Sequence, residues 1–142
     1  MSLYRILYRS KISGALSKED IEGIVHHART KNADNAITGV LLNVDDYFMQ
    51  VIEGEEDVIK DLYYGKILHD KRHFRLKILL EGPVQSRDFP EWDMGIRLLN
   101  EKDMAAHNEG KDVMENADIV YSILKYFYVT GEMELNSFWK SN

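Results

Sequence analysis

A chain of 142 residues is long enough to bury an ordinary core as one domain, or as one domain with a small appendage. It has no Cys, which excludes disulfides and thiolate chemistry and fits a reducing compartment. A net charge of −6 argues against a general nucleic-acid-binding face, although a local basic pocket for a phosphate remains open. No run approaches the length of a transmembrane helix, and MSLYRILYRS lacks a basic region followed by a long apolar one. A cytoplasmic protein with no membrane association is the expectation.

Leu3 to Arg9 alternates as a strand, with Tyr4, Ile6 and Tyr8 on one face. Ser10 to Ala15 reads as a loop. Ser17 followed by Asp20 predicts a helix N-cap, and Ile21, Ile24, Val25 and Ala28 supply one apolar helix face running to about Lys31. Asn32 stands in the polar exit, where it either closes the helix in a left-handed conformation or offers its amide to a ligand.

Two runs rich in Val, Ile, Leu, Phe and Tyr follow, separated by Asn43-Val44-Asp45-Asp46, which is a hairpin signal. Gly39 in the first strand marks close approach of another backbone or of a ligand. In the second strand Phe48, Gln50 and Ile52 share one face. A buried amide without partners costs about 1–3 kcal/mol, so something must answer Gln50. Either a core neighbour satisfies it or it faces a ligand.

Glu55 to Lys71 predicts a second amphipathic helix, with Val58, Ile59, Leu62, Tyr63 and Ile67 as its stripe and an irregularity at Gly65. His69 and His73 are four apart, as in some zinc sites, but no third ligand is in view, so no metal is expected. Lys66, Arg72 and His73 either hold a phosphate or form a solvated helix end. Phe74 to Leu80 alternates as a strand, Pro83 to Pro90 reads as a loop, and Trp92, Met94, Ile96 and Leu98 alternate as a last strand. After Asn100 the chain loses its period until Asp118, which predicts the start of a helix ending near Gly131. Phe138 and Trp139 in the tail call for cover, in this chain or a partner.

The order β-α-β-β-α-β-β, with a helical appendage, predicts an α+β, ferredoxin-like sheet carrying two helices on one face. Central pairing of the first strand with the hairpin would bring Tyr8 beside Gln50 under the helices, with Asn32 at the rim. Three polar groups converging on an apolar cleft describe a small-molecule site.

These residues resemble the BLUF domain, a blue-light sensor using flavin. The resemblance is carried by LYRILYRS with Tyr8, KNADNAITGVLL, FMQVIEGEED, HDKRHF and FPEWDMGI, in the family's order over residues 1 to about 99. It implies a flavin, FAD with FMN as the alternative, lodged between the two helices. Tyr8 would be the photochemical electron donor and Gln50 the switching amide, while Asn32 would bond the polar edge of the ring. Ile24, Phe48 and Ile67 would line its walls. Lys66, Asp70, Arg72 and His73 would meet the ribityl and phosphate part. Trp92 and Met94 match the segment that changes position or environment on signalling.

The resemblance divides the chain into a flavin-binding domain over residues 1–99 and a C-terminal helical cap over 100–142. It implies a non-enzymatic photoreceptor, similar to short stand-alone members, which signals to a protein partner through the last strand and the C-terminal helix. A homo-oligomer is expected, because the outer sheet face and the tail aromatics need cover. Three other readings stand beside it: a sensor fragment of a longer light-regulated effector enzyme, a small flavin- or nucleotide-dependent enzyme, and a ferredoxin-like binding subunit whose Tyr8, Gln50 and Asn32 are merely satisfied core groups.

Overall fold

The computed structural model describes residues 2–12, 17–44, 47–90, 95–99 and 117–130. Its elements are β1 (Leu3–Ile12), α1 (Lys18–Asp34), β2 (Thr38–Val44), β3 (Tyr47–Glu55), α2 (Glu56–Gly65), a 3-10 turn (Ile67–His69), β4 (His73–Val84), β5 (Gly95–Leu99) and α3 (Ala117–Thr130). The five strands form one sheet in the order β4-β1-β3-β2-β5. Its first four strands are antiparallel neighbours, and β5 joins β2 in parallel. This is the α+β, ferredoxin-like arrangement expected from the element order, with β5 added at one edge.

The alternation within the strands sorts side chains onto two faces. Tyr4, Ile6, Tyr8, Phe48 and Ile52 pack with Ile59 and Tyr63 of α2. Leu7, Met49 and Val51 point the other way and pack with Phe89 and with Val120 and Leu124 of α3. The helical appendage therefore covers the sheet face opposite α2. Full burial of each such aliphatic or aromatic side chain is worth about 1.5–3 kcal/mol, so this second layer is a substantial part of the core.

Local chemistry explains where several elements begin and end. Ser17 and Asp20 form a reciprocal capping box at the start of α1, in which the Asp20 amide donates to Ser17 Oγ and the Ser17 amide to an Asp20 carboxylate oxygen. The helix does not stop at Lys31 but continues to Asp34. Ala36, not Asn32, takes the left-handed conformation, at φ 55°. The Ile37 amide then donates to Asn32 O at 2.8 Å and the Ala36 amide to Ala33 O at 3.4 Å, which is a Schellman closure. Asn35 Nδ2 adds a bond to Lys31 O at 2.8 Å.

The irregularity expected at Gly65 is the end of α2, so the second helix does not reach Lys71. His69 lies in the 3-10 turn and His73 in β4, so they do not share a helix face. Two strands run further than their alternation indicates, because β1 continues to Ile12 and β4 to Val84. Pro83, expected in a loop, is within β4, which tolerates it as an edge strand. Register shifts between β1 and β4, with Arg75 at φ 54°, bend that edge. At Gly39 a Cβ would lie 2.1 Å from Val51 O, so the close neighbour is backbone. Trp92 and Met94 lie outside the described residues, as do Phe138 and Trp139.

Candidate functional site

A pocket of about 410 Å³ opens between α1 and α2 above the sheet, within the size range of small-molecule sites. Its floor is β1 and β3. Tyr8 and Gln50 are direct cross-strand partners in the antiparallel ladder, so their side chains rise side by side into the slot. The Tyr8 hydroxyl donates to Gln50 Oε1. Tyr8 is 4% and Gln50 9% exposed. Burial first, then the neighbouring Tyr63 and Asp70, push the Tyr8 phenol far above its ordinary range, so this hydroxyl keeps its proton at any physiological pH.

The walls are apolar. Ile24 and Ala28 of α1 face Val58 and Leu62 of α2 across the slot, with Phe48 and Ile67 completing the lining. Asn32, 3% exposed, sits in the last turn of α1 and lines the same pocket. Its position follows from the Schellman closure, since its own carbonyl receives the Ile37 amide and fixes the turn that carries it.

The mouth is polar. Lys31 and Lys66 lie there with Asp70, Arg72 and His73. Asp70 and Arg72 hold one another, with Arg72 Nη2 2.5 Å and Nε 3.0 Å from the carboxylate and the Arg72 amide 2.9 Å from Oδ1. The hydrogen bond from Arg72 holds the Asp70 carboxyl below its ordinary value. His73 is engaged at both nitrogens, by Ser10 Oγ at 2.8 Å and Ile67 O at 2.8 Å. Because Ile67 O can only accept, His73 Nε2 carries a proton there. His73 therefore ties the 3-10 turn to β1.

Every site residue expected from the sequence within the described region lines this one pocket. His27, Lys31, Asn35, Val58, Asp61 and Leu62 line it too, beyond the site residues expected from the sequence. His27 and Lys31 lie within the helix expected from the sequence, and Asn35, its C-cap, is brought to the pocket by the extension of α1 to Asp34. Among the described residues no cluster of metal-ligating side chains occurs.

A second polar centre lies on the opposite face of β3. Glu53, 1% exposed, is three residues beyond Gln50. Its carboxylate accepts from Thr38 Oγ1 at 3.0 Å, the Asp88 amide at 2.9 Å and the Phe89 amide at 2.6 Å. Burial pushes its pKa up, and those donors oppose the shift. Arg87 donates to Thr38 Oγ1 at 2.9 Å, to Glu53 O at 3.0 Å and to Ala36 O at 2.6 Å. Asp88 then reaches α3, accepting from the Tyr121 hydroxyl and from Lys125 Nζ at 3.2 Å, while Arg5 Nη1 stands at 3.5 Å. Residues 87–89 thus join the turn behind Asn32 and the end of β3 to the C-terminal helix. Nothing in the local pattern marked Glu53 or Arg87, because their partners lie 15 to 51 residues away.

The donor set fits a flavin: flat apolar walls suit a ring system, the Asn32 and Gln50 amides suit its polar edge, and lysines at the mouth suit phosphate. Comparison with known proteins agrees. The chain is 34% identical to photoactivated adenylate cyclase subunit beta of Euglena gracilis over 94 residues, which are 66% of this chain and 11% of that protein. The solved dark-state structure of BlrB, a BLUF protein, superposes with TM-score 0.76 at 27% identity, covering 91% of this chain and 97% of that one. Klebsiella pneumoniae BlrP1 with FMN and cyclic diGMP superposes with TM-score 0.64 at 26% identity, covering 91% and 35%. Residues 3–95 match the family model described as sensors of blue-light using FAD. With the sheet, the slot and the match agreeing over the same residues, the chain belongs to the BLUF family of flavin-based blue-light sensors.

Proposed function

We propose that this chain is a blue-light photoreceptor whose switch is the Tyr8–Gln50 pair, working by hydrogen-bond rearrangement and not by turnover of a substrate. The observation that carries the reading is the hydrogen bond between these two buried groups at the floor of the slot. A bound flavin, FAD in preference to FMN, supplies light absorption and, when excited, a one-electron oxidant. Asn32 and Gln50 hold the polar edge of the ring, Ile24, Phe48 and Ile67 exclude water from its faces, and Lys66, Asp70, Arg72 and His73 lie toward the ribityl phosphate.

Tyr8 is a neutral phenol, so its loss of an electron is coupled to loss of its proton along the bond to Gln50 Oε1. Gln50 has a donor end and an acceptor end. Rotation or tautomerisation reverses the pattern it presents without changing net charge. The two states of Gln50 bias a structural equilibrium, and only their differential contacts can do so. The route outward runs from Gln50 along β3 to Glu53, through residues 87–89 to α3, and through the segment carrying Trp92 and Met94 into β5.

Residues 1–99 act as the sensing unit and 100–142 as its helical cap, in a cytoplasmic protein that assembles with copies of itself and signals to a protein partner. A second reading, a sensor segment of a longer effector, is favoured by one observation: the match covers only 11% of the Euglena cyclase subunit. Purified protein should be yellow, release FAD on denaturation and show a reversible red shift under blue light. A colourless protein that refuses added flavin would sink the photoreceptor reading. Asn32→Ala is expected to weaken flavin binding, measured by titration of the flavin-free protein.

A further inference from the structure

Tyr8 is the first of three tyrosines in edge-to-face contact that lead away from the slot. The Tyr8 and Tyr63 ring centroids are 5.1 Å apart at 62°, and those of Tyr63 and Tyr64 are 5.1 Å apart at 86°. Tyr8 and Tyr63 are buried, whereas Tyr64 is 43% exposed. The Tyr64 hydroxyl donates to both carboxylate oxygens of Glu81 on β4, at 2.9 and 3.1 Å. Neither Tyr64 nor Glu81 lines the pocket, and no part of the switch described above uses them.

A phenol is oxidised far more easily when a base accepts its proton in the same event. Tyr64 has that base in Glu81. Tyr4 also donates to Glu81, at 2.8 Å, but the Lys60 ammonium sits 4.9 Å from its ring centroid and opposes positive charge there. Tyr4 is also 9% exposed, against 43% for Tyr64. The favourable end of the series is therefore Tyr64, at the surface.

We infer that Tyr8, Tyr63 and Tyr64 form a relay by which an oxidised Tyr8 is refilled from the surface, making the Tyr64–Glu81 pair an entry site for electrons from a small one-electron reductant. The inference rests on the photochemical reading of Tyr8. In balance, Tyr64 gives one electron, which passes by way of the Tyr63 ring to the Tyr8 radical, and gives its proton to Glu81. Tyr8 regains the proton it had lent to Gln50. The reductant then donates one electron to the Tyr64 radical, and Glu81 returns the proton. One electron is left on the flavin for each passage. The route competes with direct return of the electron to Tyr8, so it shows under sustained light as slow flavin bleaching.

The test uses the flavin-loaded full chain, without oxygen, under continuous blue light with ascorbate as donor. Bleaching rate is followed, and a nitroso spin trap locates the radical by mass spectrometry. Tyr64→Phe and Glu81→Gln are each expected to slow bleaching roughly tenfold with the reversible red shift intact, and the trap should mark Tyr64 in the unmodified protein. A normal red shift with bleaching unchanged in Tyr64→Phe, or with the trap on another residue, overturns the relay and leaves the Gln50 switch standing. No red shift in the unmodified protein overturns the switch and the relay together.

Discussion

At the scale of single residues, the Tyr8–Gln50 bond makes the sharpest demand. Tyr8→Phe removes the electron donor while keeping the ring that packs on Tyr63. This variant is expected to bind flavin and to lack the normal red shift, as read by difference absorption before and after illumination; a normal shift would assign Tyr8 another role. Loss of the hydrogen bond to Gln50 should also lower stability by about 0.5–1.5 kcal/mol, measured by urea unfolding without flavin. Gln50→Ala should abolish the shift as well. Ala36 carries a separate prediction. Its φ of 55° costs a non-glycine residue about 1–2 kcal/mol, partly offset by the greater freedom glycine loses on folding. Ala36→Gly should therefore stabilise the protein by roughly 0.5–1 kcal/mol, seen as a higher urea midpoint at unchanged slope. Gly39→Ala should do the reverse, since its Cβ would meet the Val51 carbonyl and not a side chain that could move away; a loss of about 3 kcal/mol or more is expected in the same assay.

At the scale of elements, the most informative contact is between residues 87–89 and α3. Asp88 gathers Tyr121, Lys125 and Arg5 on one carboxylate. Burial disfavours its charge, but the bonds from Tyr121 and Lys125 and the charge of Arg5 outweigh this and hold its pKa below the ordinary value. Asp88→Asn should weaken docking of α3 by about 1.5–3 kcal/mol, as for other hydrogen bonds to charged groups. It should also change the dark-recovery rate after illumination; recovery that stays unchanged would disconnect α3 from the switch. The element pattern itself was largely legible in the chain. Alternation put Tyr8 and Gln50 on the same side of the sheet as the helices, and Ser17 with Asp20 announced α1. The errors have local physical causes. Asn32 looks like an exit residue because Lys31 to Asn35 is polar, yet the helix continues there since its inner side faces the slot. Pro83 looks like a loop residue because only an edge strand can hold it, and edges are set by pairing that a sequence does not display. Glu53 carries no local signal, because the fold alone brings Thr38 and the 88–89 amides to its carboxylate.

At the scale of the whole molecule, two cores share one sheet, and the tyrosines of the α2 side are held as neutral phenols. Burial pushes Tyr63 up to about 12, with Tyr64 and Glu81 adding to the rise, and Tyr8 higher still. A phenol whose pKa is raised on folding contributes stability that is fully present below its unfolded value near 10 and is lost as pH rises through its folded value. The flavin-free protein should therefore hold its stability up to about pH 10 and lose it steeply toward pH 12, with far-UV circular dichroism as the readout. Stability unchanged to pH 12 would show that these rings reach solvent.

The direct pairing of Tyr8 with Gln50 has one further consequence. Strand registers are whole numbers, and a slip of one residue between β1 and β3 would exchange Tyr8 for Leu7 opposite the amide and turn the phenol to the far side of the sheet. A chain misaligned in this way could retain much of its secondary structure while being blind to light. The colour change is thus an optical report on strand alignment, able to tell correctly assembled molecules from near misses that circular dichroism would count as folded.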